Sequence, residues 1–203
     1  MNPRLRVAVE KAKEASVPKD NIERAIKKGT GEIEGVAYEE IIYEGTGPGG
    51  TGIILQCYTE NRNRTVGEVR DAFKKNGGMM ADNGAVSWQF KYVGQIQFPA
   101  DQHNEDDLTM AALDAGAEDV QTEDDTVSII TAMADLHKVN EAMRAGGFDS
   151  KEVSLTYITT NKANPSREDL IKLIKLLDAL EDLDDVQDTY LNVDIPEELF
   201  EEA

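Results

Sequence analysis

Gly45-Thr46-Gly47-Pro48-Gly49-Gly50 is the stretch that most narrows the folds open to this chain. Four glycines and a proline within six residues suit neither a helix nor a strand. The segments on either side, residues 38–44 and 51–59, are rich in β-formers. Together they read as a β-hairpin closed by a wide turn in which glycine supplies positive φ. The turn is a poor phosphate loop: it lacks a Gly-Lys-Ser/Thr ending, precedes a strand rather than a helix, and loses an amide donor at Pro48.

Around this hairpin the apolar period changes several times. Upstream, Leu5, Ala8, Val9 and Ala12 recur at helical spacing behind Pro3. A second helix is expected over residues 18–28, with Ile22, Ala25 and Ile26 inward and Gly29 as its stop. These helices hold too few large apolar residues for a core of their own. Downstream, Thr65 and Glu68 have capping-box spacing, Val66, Val69 and Phe73 share a helical face, and Asn76-Gly77-Gly78 ends the helix. Val86, Trp88 and Phe90 alternate as one buried face of a strand, and Met79-Met80 carries no readable signal. From Gly94 a second α/β unit begins: strand 95–98, helix 105–115, strand 126–132, helix 134–145 and strand 152–158. Ser166 then caps a helix through Leu170, Ile174, Leu177 and Leu180, and residues 186–193 form a last strand. That αβ tail needs a sheet to join, and the hairpin unit supplies one.

The expected class is therefore α+β, with a helical domain at 1–35, a discontinuous α/β domain at 36–93 and 164–203, and an acidic α/β domain at 94–163 inserted into it. Both α/β domains have ferredoxin-like content.

Net charge is −19, which opposes binding to phosphate unless charge is segregated. It is segregated. Residues 1–30 carry eight Lys/Arg against four Asp/Glu, and residues 61–92 carry six against three. Residues 93–203 hold 27 acids and seven bases. Screening over about 8 Å at physiological salt lets such blocks act separately.

The basic residues cluster where an anion would be received. Arg62 and Arg64 are expected in a loop just before a helix N-terminus, whose free amides and dipole favour anions. Asn61 and Asn63 add hydrogen-bonding groups, and Arg70, Lys74 and Lys75 extend the charge along the helix. Pairing of these arginines with Glu39, Glu40 or Glu44 of the hairpin is the competing reading. No catalytic constellation emerges. His103 and His137 fit no metal-ligand spacing, and Cys57 lies in an apolar strand as a core filler. The acidic clusters 105–107, 123–125 and 181–185 match no calcium loop and read as solvated surface. The termini and the single cysteine show no signal peptide, membrane span or disulfide, so a cytoplasmic protein is expected.

Asn2-Pro3-Arg4-Leu5-Arg6, the run from Pro18 to Gly29 (Pro-Lys-Asp-Asn-Ile-Glu-Arg-Ala-Ile-Lys-Lys-Gly), the Tyr43-Glu44-Gly45 turn and residues 59–65 stand in the order and spacing of signatures of the YebC/PmpR family. The whole chain resembles that family. The resemblance implies a three-domain protein, helical first, with the third domain inserted in the second. It implies a regulator of gene expression with no catalytic residues, cofactor or small-molecule substrate. Bacterial members are described as DNA-binding transcriptional regulators, and related members as translational activators or ribosome-associated factors. Family members usually begin with a further basic helical segment, with a Gly-His-Ser-Lys-Trp-like start, and this chain begins after it.

The expected partner is thus nucleic acid: DNA, or ribosomal RNA and protein in the alternative of a translation factor, and no membrane. The residues expected to touch it are Asn61, Arg62, Asn63, Arg64, Arg70, Lys74 and Lys75, helped by Arg4, Arg6, Lys27 and Lys28. Oligomeric state is not written in any motif.

Overall fold

The hairpin forms in register around its glycine turn. In the computed structural model, which describes residues 2–33, 38–123 and 125–201, strand β1 (Glu39–Thr46) runs antiparallel to β2 (Gly52–Thr59), from Glu39 opposite Thr59 to Thr46 opposite Gly52. The expected 35/36 boundary and Asp124 of the acidic cluster lie outside the described residues. Gly49 and Gly50 adopt φ of 70° and 77°, the left-handed region that the turn demands. Gly45 serves a different end: a Cβ there would collide with the Phe73 ring, so the missing side chain is the space the aromatic ring fills.

The chain divides into two units, one of residues 34–91 with 158–203 and one of residues 1–33 with 92–157. In the first, helix α3 (Arg62–Lys75) comes after the hairpin, then strand β3 (Met79–Ala81), and later helix α6 (Arg167–Glu181) and strand β8 (Val186–Leu191). Its sheet has the order β3-β1-β2-β8, each neighbouring pair antiparallel. Val69, Ala72 and Phe73 of α3 and Leu173, Leu176, Leu177 and Leu180 of α6 close a core with Tyr43, Ile53, Leu55 and Cys57 of the hairpin. Phe73 is fully buried, worth up to about 3 kcal/mol of transfer free energy. Ser166 caps α6 as expected, its Oγ accepting from the Asp169 amide at 3.2 Å.

In the second unit strand β4 (Phe90–Pro99) is succeeded by helix α4 (Glu105–Ala115), strands β5 (Asp119–Glu123) and β6 (Thr126–Thr131), helix α5 (Leu136–Ala145) and strand β7 (Glu152–Thr159), in the sheet order β5-β6-β4-β7. β6 lies antiparallel between β4 and β5, a split β-α-β arrangement of ferredoxin-like type. Helices α1 (Pro3–Glu14) and α2 (Lys19–Gly29) belong to this unit and bury no residue fully. Val7, rather than Leu5, is the α1 side chain that reaches the core of Ile96, Phe98, Leu108, Ile129 and Met143.

Several local expectations are corrected. The strand expected at Val86-Trp88-Phe90 is a 3₁₀ turn at Ser87–Gln89, closed by Gln89 N–H donating to the Val86 carbonyl at 2.9 Å. That turn points Val86 and Phe90 inward and leaves Trp88 65% exposed, so Trp88 is not core. One strand, β4, then runs unbroken through Gly94. The third strand of the hairpin sheet is Met79–Ala81, in a stretch without readable signal, and β5 at Asp119–Glu123 lies outside every expected strand.

Candidate nucleic-acid interface

Helix α3 starts earlier than its capping-box spacing suggests. Asn61 is the N-cap, its Oδ1 accepting from the Arg64 amide at 3.2 Å, so Arg62, Asn63 and Arg64 form the first turn instead of a preceding loop. Thr65 is buried inside the helix. Its hydroxyl donates to Asp185 Oδ2 at 2.7 Å and lies 2.8 Å from the Thr59 hydroxyl.

The helix then sorts its exposed residues into two stripes, because positions three and four apart share a face. Arg64, Glu68, Asp71 and Lys75 make one stripe, beside the acid-rich turn between α6 and β8. Arg64 Nη2 donates to both Asp185 oxygens at 2.9 Å, and Lys75 Nζ lies 3.9 Å from Asp71. Shallow grooves on this side are lined by Glu68, Asp71, Asp182, Asp184 and Asp185. The ion pair that was the competing reading therefore exists for Arg64, but with Asp185 and not with Glu39, Glu40 or Glu44. The 181–185 cluster is accordingly not all solvated surface, since Asp185 is only 6% exposed. Burial pushes the Asp185 carboxyl up, but hydrogen bonds from Thr65, Arg64 and Thr59 outweigh it and hold the group below the ordinary aspartate value.

The other stripe is Asn63, Gly67, Arg70 and Lys74, all exposed. It contains two cations and no acid, and among the described residues neither Arg70 nor Lys74 forms an ion pair. Arg62 is also exposed, at the helix start, but by helical spacing it stands in line with Val66, Val69 and Phe73 rather than on this stripe. The basic run of the sequence is thus split by the helix into a compensated side and an uncompensated one.

Arg4 and Arg6 on α1 and Lys27 and Lys28 in the last turn of α2 belong to the other unit. Arg4 and Arg6 are half-buried, and Arg6 lines a small cavity with Pro3, Val7, Glu10, Leu136, His137 and Val153, whereas Lys27 and Lys28 are exposed. They are not part of the α3 stripe.

Glu44, part of the Tyr43-Glu44-Gly45 signature, has a role that the sequence reading does not assign. Its carboxylate is 3% exposed and accepts the amides of Gly84 at 2.7 Å, Val86 at 2.7 Å and Ser87 at 2.9 Å. Burial pushes this carboxyl up, yet the backbone donors prevail and its pKa lies below the usual glutamate value. The clamp shapes the loop that presents Trp88, whose Nε1 donates to the Ala85 carbonyl at 3.1 Å. His103 sits edge-on to Phe98 and Phe148, and His137 lies near Glu10 and Glu141. Among the described residues no three His, Cys, Asp or Glu side chains are grouped to hold a metal, and no helix is long and apolar enough to cross a membrane.

Known proteins resemble the chain along most of its length. The family model described as the TACO1/YebC protein N-terminal domain matches residues 1–32, and that of the TACO1/YebC second and third domain matches residues 38–193. A "Probable transcriptional regulatory protein" of Acidithiobacillus ferrooxidans is 51% identical over 197 residues, covering 97% of this chain and 78% of that relative. One of the same description from Halothermothrix orenii is 46% identical over 205 residues, covering 100% and 81%. The crystal structure of a conserved hypothetical protein from Aquifex aeolicus superposes with a TM-score of 0.83 at 44% identity, covering 96% of this chain and 81% of that one.

Proposed function

Because the chain belongs to the TACO1/YebC family, we propose that it is a transcriptional regulator that holds DNA by its phosphate backbone along the exposed stripe of α3 and at the helix start, with Arg62, Asn63, Arg70 and Lys74 as the contacting residues. The names of its relatives support the regulatory role. The observation that carries the DNA reading is the stripe itself: exposed cations on one helix that form no ion pair among the described residues, in a chain whose net charge is −19. Arg64 has a structural part as the partner of buried Asp185, and Lys75 is partly offset by Asp71 3.9 Å away. Asn61 is spent on the helix cap. Arg4, Arg6, Lys27 and Lys28, on the other unit, are the further residues proposed to help. The chemistry asked of these residues is binding, so the protein acts as a regulator and not as an enzyme. Most protein–DNA hydrogen bonds of this kind position the duplex, and base edges supply specificity.

Salt dependence tests the reading. Each phosphate contact contributes roughly 0.9 to the slope of log K against log salt, so Arg70→Ala/Lys74→Ala should flatten that slope by roughly 1.8 on a DNA duplex. Arg64→Ala/Lys75→Ala should change it far less. Equal slopes for both double variants would remove the stripe from the interface.

One observation favours a ribosome-associated translation factor as the second reading: the 27 acids against seven bases after residue 92 complement basic ribosomal proteins, while the α3 stripe would meet RNA. Co-sedimentation with ribosomes, together with weak DNA binding erased by salt, would select it.

A further inference from the structure

Gly67 occupies the middle of α3, where glycine is the poorest choice after proline. Among the described residues no contact explains it. A Cβ built there would meet nothing within 4 Å, and Gly67 is absent from the positive-φ glycines, so its backbone suits any residue. The contrast with Gly45 and Gly78 is informative, since a Cβ at those positions would run into Phe73. At Gly67 the bare backbone faces solvent; Asn63, Arg64, Arg70 and Asp71 stand three and four positions away, and Lys74 follows two turns on.

We infer that Gly67 is the point at which a phosphodiester strand of duplex DNA comes directly against the α3 backbone, between Asn63 on one side and Arg70 and Lys74 on the other. The inference rests on the reading of α3 as the DNA-binding element and refines it. Removing the side chain lowers the helix surface at the centre of the stripe. A phosphate seated there lies closer to both cations, and their attraction grows as the inverse of the distance. A methyl group would lift the strand away from both at once. Charge complementarity selects the occupant: among the described residues Arg70 and Lys74 form no ion pair, and Asp71, the acid four positions on, lies beside Lys75. An apolar partner would gain little from such a face.

The test uses the full chain, a fluorescently labelled 20-base-pair duplex and polarisation at two salt concentrations, beside thermal unfolding. Gly67→Ala should raise Tm by about 2–4 °C, because alanine favours the helix. The same variant should weaken duplex binding roughly tenfold, which corresponds to about 1.4 kcal/mol. Gly67→Leu should weaken it further. A Gly67→Ala protein that is more stable and binds DNA as tightly as the parent would overturn the inference. A lowered Tm would do so too, by showing that Gly67 has an internal role. If Arg70→Ala/Lys74→Ala flattens the salt slope while Gly67→Ala is neutral, the stripe stands and the close approach falls. If the parent chain shows no salt-dependent duplex binding, both fall. Loss of binding confined to a single-stranded RNA of equal length would overturn the assignment to DNA.

Discussion

Replacing Glu44 by Gln removes a negative charge without changing side-chain size, and the hydrogen bonds around it set the cost. Oε2 accepts two amides, from Val86 and Ser87, and Oε1 accepts one, from Gly84. A glutamine can keep its oxygen toward Val86 and Ser87, but its NH2 group then faces the Gly84 N–H, donor against donor. One buried amide left without a partner costs about 1–3 kcal/mol, and two surviving bonds lose their charge assistance, so about 2–3 kcal/mol of destabilisation is expected. For a chain of this length that is a drop of roughly 5–10 °C in Tm. The protein carries its own local probe, because Trp88, its single tryptophan, sits on the clamped loop. Urea unfolding should be monitored by far-UV circular dichroism and by Trp88 emission, with steady-state anisotropy recorded before denaturant is added. The variant should show a lower urea midpoint and a lower native anisotropy. The parent should lose the same contribution on acidification. Its folded-state pKa is depressed, so the stabilisation is complete above the unfolded glutamate pKa and fades as pH falls through the folded value. The Glu44→Gln protein should lack that part of the acid sensitivity. An unchanged midpoint with parental anisotropy would refute the clamp.

Gly45→Ala should destabilise by about 1–3 kcal/mol, since its Cβ must displace the buried Phe73 ring, and the paired Gly45→Ala/Phe73→Leu variant should recover part of the loss in thermal melts. Cys57 should resist a thiol reagent such as DTNB at pH 8 until urea unfolds the chain, because burial, with Asp185 adding to it, pushes the thiol pKa up to about 12; rapid native-state labelling would contradict this. The salt slopes of the two α3 double variants and the Tm and affinity of Gly67→Ala supply the remaining checks.

Much of this protein is legible in its sequence. The period changes locate α1, α2, α4, α6 and both hairpin strands, because amphipathic spacing and glycine punctuation are local properties. The family signatures are local too. Cys57 can be assigned to the core from its apolar neighbours alone, and Ser166 as a cap from its place before an apolar run.

The features that stay hidden depend on partners distant in the chain. Alternation at Val86, Trp88 and Phe90 has the period of a strand, but the amides there are taken by Glu44, forty or more positions earlier, and a 3₁₀ turn results. The brief strand Met79–Ala81 exists because β1 presents a free edge to it, which no propensity of three residues announces. The inventory of elements and the presence of a basic run are set by the order of side chains along single segments, and so they can be read without any fold. That Arg64 is neutralised is settled in three dimensions alone, whereas the Lys75–Asp71 pair follows from i,i+4 spacing. Asp185 reaches Arg64 across 121 positions of sequence, and Coulomb attraction depends on distance in space.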